Sequence, residues 1–292
     1  MKTILIATDY SKSANNALEY AAALAKGLKA KLVIYNAFNL ALAPATAPDT
    51  FPDVDDLIRE NGERINRIGT RISETYGIVE ECVSTTDLVL DGLRKQVKKK
   101  QADLLVLGIK NRSMLTKVLG TLTTSVIRHS KVPVLVVPED ATFRGIRRLL
   151  FACDYKYLSE NSRLEAIYEI AAAYKAQVQI LHVEKGDGLM MPSTTKKQVH
   201  GHAPNMEELL RGIKHTYRFV HEESVLEGIK RGLEEYQADL LVMVPHKPGF
   251  WYSLIHTSIT KEMALNTHVP LLALPALGKA KTKAHKVAGL AH

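Results

Sequence analysis

The sequence predicts an α/β protein made of two tandem open parallel sheets with helices on both faces. Short apolar runs alternate with segments of helical periodicity, which is the rhythm of such sheets. The same rhythm then occurs a second time. Its clearest mark is the segment 101–106, Gln-Ala-Asp-Leu-Leu-Val, which recurs letter for letter at 237–242. Six identical residues at equivalent places, between matching strands, indicate a duplication.

The first half alternates five strands with four helices. Ser11 is a suitable N-cap for the first helix, and Gly27 is placed to end it. The run 104–107 has no polar interruption, as expected of a central parallel strand that is buried on both faces. In order, the pattern predicts strands over 3–7, 31–37, 78–84, 103–107 and 132–138, and helices over 11–27, 53–76, 87–99 and 121–129.

The second half repeats these elements. Residues 148–154 echo the first strand with its following aspartate, and 178–183 echo the second strand. Val269-Pro270 precedes the apolar run 271–275, just as Val132-Pro133 opens the fifth strand. We therefore expect one domain at 1–140 and another at 146–277, followed by a basic tail at 278–292.

Composition favours a cytoplasmic protein without a membrane segment. The chain has 292 residues, of which 46% are hydrophobic, so it can bury two cores. No run approaches the length of a membrane span, and the N-terminal residues lead directly into a strand rather than a cleavage site. Cys82 and Cys153 lie in apolar runs, and we expect them to be buried free thiols.

The formal charge of +8 does not by itself indicate a nucleic-acid partner. Four lysines in the last fourteen residues account for half of this charge. No aromatic residues are interleaved with the basic clusters, as a stacking platform for nucleic acid would need. Nucleic acid is therefore not an expected partner.

A candidate anion site follows the fourth strand. Its apolar run ends at Gly108, where the backbone can turn and approach a ligand, and Gly120-Thr121 opens the next helix twelve residues later. A strand, a loop with free N–H groups and a helix N-terminus together make a phosphate-sized anion site. Lys110 and Arg112 could add positive charge to it.

These residues resemble the universal stress protein family, over essentially the whole chain and in both halves. The family pattern is Gly-x2-Gly-x9-Gly-Ser/Thr after the fourth strand, with an aspartate after the first strand and a Val-Pro-Val-Leu-Val-Val final strand. Asp9, Gly108, Gly120, Thr121 and 132–137 match it. The resemblance implies an adenine nucleotide alpha-hydrolase-like fold with strand order 3-2-1-4-5, so that strands one and four meet at the switch point. It also implies that ATP-binding members hold adenosine near the aspartate and phosphates over the glycine loop.

The first domain departs from that pattern in one loop. Asn111 replaces the second glycine, and only the eight residues 112–119 separate it from Gly120. Asparagine tolerates a left-handed backbone, but the missing residue shortens the phosphate loop. ATP is the candidate cofactor of this domain. Its expected contacts are Asp9, Ala37, Gly108, Lys110, Asn111, Arg112, Gly120 and Thr121.

The second domain keeps the spacing of this loop but not its chemistry. Val244, Lys247 and Thr257 occupy the glycine positions, and Pro245 and Pro248 each remove an N–H donor. We interpret this domain as a degenerate copy with a structural or partner-binding role. Asp154 follows its first strand but could serve only to cap a turn.

Three functions remain open at this point. The favoured one is a non-catalytic stress-response binding and signalling protein that binds ATP in its first domain, because no nucleophile motif or catalytic base is visible. A slow ATP hydrolase would use the same loop, with Asp9 as the nominated residue beside the phosphates. A metal-binding module would use His200 and His202, although no further ligands follow at a signature spacing.

Assembly can also be predicted. The runs 134–137 and 271–274 are apolar last strands, and each would be an exposed edge if left alone. Pairing the two edges within the chain would bury both and give an intrachain pseudo-dimer. Whether the pseudo-dimer pairs again as a homodimer is open, and protein partners are unknown.

Overall fold

The computed structural model describes residues 1–38, 53–110, 121–153, 164–185, 204–244 and 269–275. The first half contains β1 (Thr3–Ala7), α1 (Lys12–Leu28), β2 (Lys31–Ala37), α2 (Val54–Tyr76), β3 (Glu80–Thr85), α3 (Val89–Lys99), β4 (Leu104–Ile109), α4 (Thr121–His129) and β5 (Val134–Pro138). The second half contains β6 (Arg148–Ala152), α5 (Glu165–Tyr174), β7 (Gln177–Lys185), α6 (Pro204–Leu209), β8 (His215–Glu222), α7 (Val225–Tyr236), β9 (Leu240–Met243) and β10 (Leu271–Ala273).

The strands form one ten-stranded sheet in the order β3-β2-β1-β4-β5-β10-β9-β6-β7-β8. Each half is parallel and has the order 3-2-1-4-5, which confirms the predicted fold. The halves join through β5 and β10, which pair antiparallel with Val136 opposite Leu271 and Val134 opposite Ala273. The predicted pairing of the two apolar edges is therefore present within the chain.

Helices cover both faces of the sheet, which explains the uninterrupted apolar strands. Ile4, Leu5 and Ile6 of β1 are all fully buried, although successive residues point to opposite faces. One face packs against α1, α2 and α5, and the other packs against α3, α4 and α7. Among the described residues, no helix is long and apolar enough to cross a membrane.

The repeated segment Gln-Ala-Asp-Leu-Leu-Val has the same structural task in each half. Gln101 and Gln237 adopt left-handed backbone angles, with φ of 49° and 50°. One carboxylate oxygen of Asp103 accepts hydrogen bonds from the N–H groups of Lys2 and Thr3, at 2.6 and 3.0 Å. Asp239 does the same for residues 147 and 148, at 2.7 and 2.8 Å. The repeat thus secures the start of each central strand.

The prediction that Gly27 ends the first helix is wrong. The helix continues to Leu28, and Lys29 is the left-handed residue that closes it. A Cβ atom on Gly27 would lie 2.0 Å from the hydroxyl oxygen of Tyr174 in the other half. That hydroxyl donates to the Leu24 carbonyl oxygen at 3.1 Å. Gly27 is therefore explained by packing between the halves.

Candidate functional site

The candidate site lies where β1 and β4 end side by side. These strands are adjacent and parallel, with Ile4 opposite Leu104 and Ile6 opposite Val106. From β1 the chain continues to α1 on one face, and from β4 it continues towards α4 on the other. This divergence is the topological switch point, where open α/β sheets hold their ligands.

The turn after β1 is ordered by its own side chains. The carboxylate Oδ1 of Asp9 accepts from the Ser11 N–H at 3.0 Å, and the Ser11 hydroxyl accepts from the Ala14 N–H at 3.3 Å. Ser11 is thus the N-cap of α1, as predicted. Asp9 is exposed, so its carboxylate shapes the turn and still faces solvent.

Tyr10 holds a backbone conformation that is unusual for an aromatic residue. Its φ is 63°, in the left-handed region that non-glycine residues seldom occupy. Its hydroxyl donates to Asn61 Oδ1 at 2.9 Å, and the Arg64 guanidinium lies 4.0 Å from the ring centroid. Burial raises the pKa of Tyr10, and Arg64 opposes that rise. The phenol therefore stays protonated and donates, which ties the turn to α2.

A buried amide network lies beneath this turn. Asn36 and Asn61 are only 4% and 6% exposed. Asn36 Nδ2 donates to the Thr8 carbonyl oxygen at 2.7 Å, and Asn61 Nδ2 donates to Asn36 Oδ1 at 3.0 Å and to Ser84 Oγ at 2.6 Å. One α2 residue thereby fastens the ends of β1, β2 and β3. Sequence reasoning missed this network, although an asparagine inside an apolar strand was a usable signal.

The prediction that the fourth strand ends at Gly108 is wrong. The fourth strand does not end there, because β4 continues to Ile109 and pairs Gly108 with Val137. A Cβ atom on Gly108 would lie 2.3 Å from the backbone oxygen of Ser13. The glycine is needed so that the first turn of α1 can lie directly against β4. It therefore brings a helix N-terminus to the switch point.

The structure describes only some of the residues that were predicted to contact the nucleotide. Ala37 ends β2 with its Cα paired to Thr85, on the same edge of the sheet as Asp9 and Gly108. Lys110 follows β4 and is exposed. Asn111, Arg112 and Gly120 lie outside the described residues, and Thr121 is described only as the first residue of α4.

The second half carries different groups at the equivalent strand ends. His182 takes the place of Asn36, and its Nδ1 lies 3.1 Å from the Cys153 carbonyl oxygen. Val244 follows β9 and is buried, whereas Asp154 and the predicted loop positions 245–258 lie outside the described part. His200 and His202 lie outside it too. Within the described ranges, no three His, Cys, Asp or Glu side chains are grouped to hold a metal ion.

Comparisons with known proteins agree with this architecture. The model of the universal stress protein family matches residues 1–138 and again 145–275. A universal stress protein of Methanocaldococcus jannaschii is 26% identical over 142 residues, which is 47% of this chain and 82% of that protein.

Solved structures match both halves together. A universal stress protein from Archaeoglobus fulgidus superposes with a TM-score of 0.67 at 21% identity, covering 94% of this chain and 98% of that one. A putative universal stress protein from Pseudomonas aeruginosa gives 0.55 at 13% identity, covering 94% and 93%. At these identities the match shows a shared fold. Because the family model covers most of the chain in two consecutive segments, this chain belongs to the universal stress protein family as a tandem member.

Proposed function

We propose that the first domain binds an adenine nucleotide without turning it over, as part of a stress-response signalling protein. The observation that carries this proposal is the rigid turn after β1, which α2 holds through Tyr10 and Asn61. A turn that is ordered before the ligand arrives costs less to bind it. Asp9 is exposed at this turn, beside the end of β4.

The two ends of the nucleotide would meet different parts of the site. In the arrangement that the family resemblance implies, Asp9 would lie near the adenosine, and we propose Ala37, at the end of β2, as a further contact. The phosphates would lie towards Gly108 and Lys110, near the start of α4 at Thr121. Asn111, Arg112 and Gly120 would complete the phosphate contacts.

The hydrogen bond that Asp9 accepts within its own turn favours binding without turnover over hydrolysis. Its Oδ1 already accepts from the Ser11 N–H, so this carboxylate is a turn-forming group rather than a free base. Phosphate release from ATP by the purified protein tests this assignment. If release occurred and Asp9→Asn abolished it, the hydrolase alternative would replace the binding proposal.

Titration calorimetry with adenosine, AMP and ATP plus Mg²⁺ tests the site itself. Asp9→Asn keeps an oxygen for the Ser11 N–H while removing the charge, so it should weaken all three ligands. Lys110→Ala should weaken ATP by about three- to tenfold and leave adenosine unchanged. Lys98→Ala, a change at an exposed position on α3, is the matched control. Absence of binding heat at millimolar ATP with folded protein would contradict the proposal.

The second domain, proposed at 146–277, would serve as a structural or partner-binding copy beside the first domain at 1–140. In this proposal the chain works as an intrachain pseudo-dimer in the cytoplasm, and light scattering of the full chain tests for a further homodimer. Zinc analysis of purified protein tests the His200–His202 alternative.

A further inference from the structure

A carboxylate between two imidazoles lies at the carboxyl end of the outer strands of the second half. Oε1 of Glu184 is 3.8 Å from His182 Nε2, and its Oε2 is 3.5 Å from His221 Nδ1. Glu184 is on β7 and His221 is its register partner on β8. Since β8 is the outermost strand of the sheet, this cluster joins an edge strand to the rest of the half.

The contacts of His182 place one ring nitrogen at a carbonyl oxygen and the other at a carboxylate. Its Nδ1 lies 3.1 Å from the Cys153 carbonyl oxygen, and a carbonyl can only accept, so Nδ1 carries a proton. Its Nε2 faces the carboxylate. A neutral ring protonated on Nδ1 would present a lone pair to that carboxylate, whereas the imidazolium presents a second N–H and a positive charge.

The first half contains a natural control. Asn36 has the place of His182 in the strand register, and continuing that register one residue past β2 and β3 puts Phe38 and Thr86 in the places of Glu184 and His221. Asn36 makes the same kind of bond as His182, because it donates to the carbonyl that follows its central strand. No member of this first set titrates near neutral pH. The two halves therefore share the geometry and differ in the ionisable groups.

We propose that His182, Glu184 and His221 form a proton-responsive clasp that strengthens the hold of β7 on β8 as the pH falls below neutrality. An imidazole pairs with a carboxylate as an ion only while it is protonated. The proposed contribution should therefore be larger at pH 5.5 than at pH 8.0. His221 and Glu184 have side chains 30% and 32% exposed, so protons reach them from solvent.

Other ionisable groups near the clasp have partners of their own. Glu222 on β8 pairs with Arg231 of α7 at 2.8 Å, and neither partner is a histidine. Glu207 on α6 accepts from Tyr217 at 2.7 Å and lies 3.2 Å from His215 Nε2. Cys153, which follows β6, is buried. Because His215 and Glu207 form another imidazole–carboxylate contact, the test must isolate the clasp.

A double-mutant cycle on the full chain provides that isolation. Thermal midpoints are measured for wild type, Glu184→Gln, His221→Gln and the double variant at pH 5.5 and pH 8.0. We expect the coupling between Glu184 and His221, expressed as a difference in thermal midpoint, to be about 2 °C at pH 5.5 and about zero at pH 8.0. The same cycle on Arg231 and Glu222 is the control, since its coupling should be equal at both pH values.

One further variant and one further measurement complete the test. His182→Asn introduces the residue that the first half has at this place. It should keep the hydrogen bond to the Cys153 carbonyl oxygen and remove part of the pH dependence of the thermal midpoint. Amide hydrogen exchange is compared between wild type and Glu184→Gln at the same pH, first at 5.5 and then at 8.0. The β8 amides should exchange more slowly in wild type at pH 5.5 and equally at pH 8.0, and the β3 amides should not differ at either pH. Equal coupling at both pH values would overturn the proposal. So would a rise in the wild-type midpoint with Zn²⁺ at pH 8.0 that the variants lack, because the cluster would then be a metal site.

Discussion

The two halves of this chain share a scaffold and differ at the ends of their outer strands. Asp103 and Asp239 secure the central strands in the same way. Above that scaffold, the first half has a neutral amide network centred on Asn61, and the second half has carboxylate–imidazole contacts centred on Glu184. Sequence identity between the halves therefore marks structural work, and the places where they diverge mark candidate functions.

The largest expected effect comes from the glycine that lets α1 approach β4. Gly108→Ala would place a Cβ atom 2.3 Å from the Ser13 backbone oxygen, so the helix must shift. We expect a loss of about 2–3 kcal/mol in the free energy of unfolding, measured by urea titration. Gly62→Ala is the matched control. It lies in α2 with nothing within 4 Å of the added atom, and it should stabilise the protein by about 0.5–1 kcal/mol.

The amide network of the first half should give the next largest effect. Asn61→Ala removes the partner of Asn36 Oδ1, of Ser84 and of the Tyr10 hydroxyl. Leaving such groups without partners should cost about 2–3 kcal/mol, and nucleotide affinity should fall because the turn after β1 loses its support. Asn66→Ala, at an exposed position on the same helix, should change both quantities little. An unchanged affinity in a destabilised Asn61→Ala protein would separate the network from the site.

The smallest expected effect concerns acid and distinguishes the outer strands of the two halves. Hydrogen bonds from Lys100 and from Lys31 lower the pKa of Glu81 on β3. Because the folded-state pKa is depressed, the stabilisation is present above about pH 4.3 and is lost as pH falls through the folded value. The free energy of unfolding of wild type should exceed that of Glu81→Gln by about 0.5–1 kcal/mol at pH 7, and this difference should shrink below pH 4.

The control for that measurement is Glu74→Gln, at an exposed position on α2, which should show no comparable trend. Acid should thus loosen β3 through Glu81 at a pH well below the one at which it tightens β8 through Glu184. If both outer strands weakened together as pH fell from 8 to 5, the contrast between the halves would be wrong.

The sheet could be predicted from the sequence because the features that specify it are short apolar runs and an internal repeat. Apolar runs identified the strands, and the last strand of each half was recognisable as an edge that needed a partner, which β5 and β10 supply to each other. The order of the strands followed from the family resemblance. These features depend on alternation and length, which a linear reading can measure.

The glycines and the amide network could not be interpreted in that way. Gly27 and Gly108 looked like turn residues, but their causes are Tyr174 and Ser13, which lie far away in sequence. Asn61 meets Asn36 across 25 positions, and no spacing rule connects them. Their explanation requires knowing which surfaces touch, so the meeting of the β1 and β4 ends was predicted and the contacts that support it were not.

The antiparallel junction of β5 with β10 reverses the strand direction between the halves. The carboxyl ends of β1 and β4 therefore open on one rim of the sheet, and those of β6 and β9 open on the opposite rim. In a pair of identical chains, every substitution would alter both rims at once. Here each rim belongs to a different stretch of one chain, so the proposed nucleotide site and the proposed clasp lie on opposite rims and can change independently.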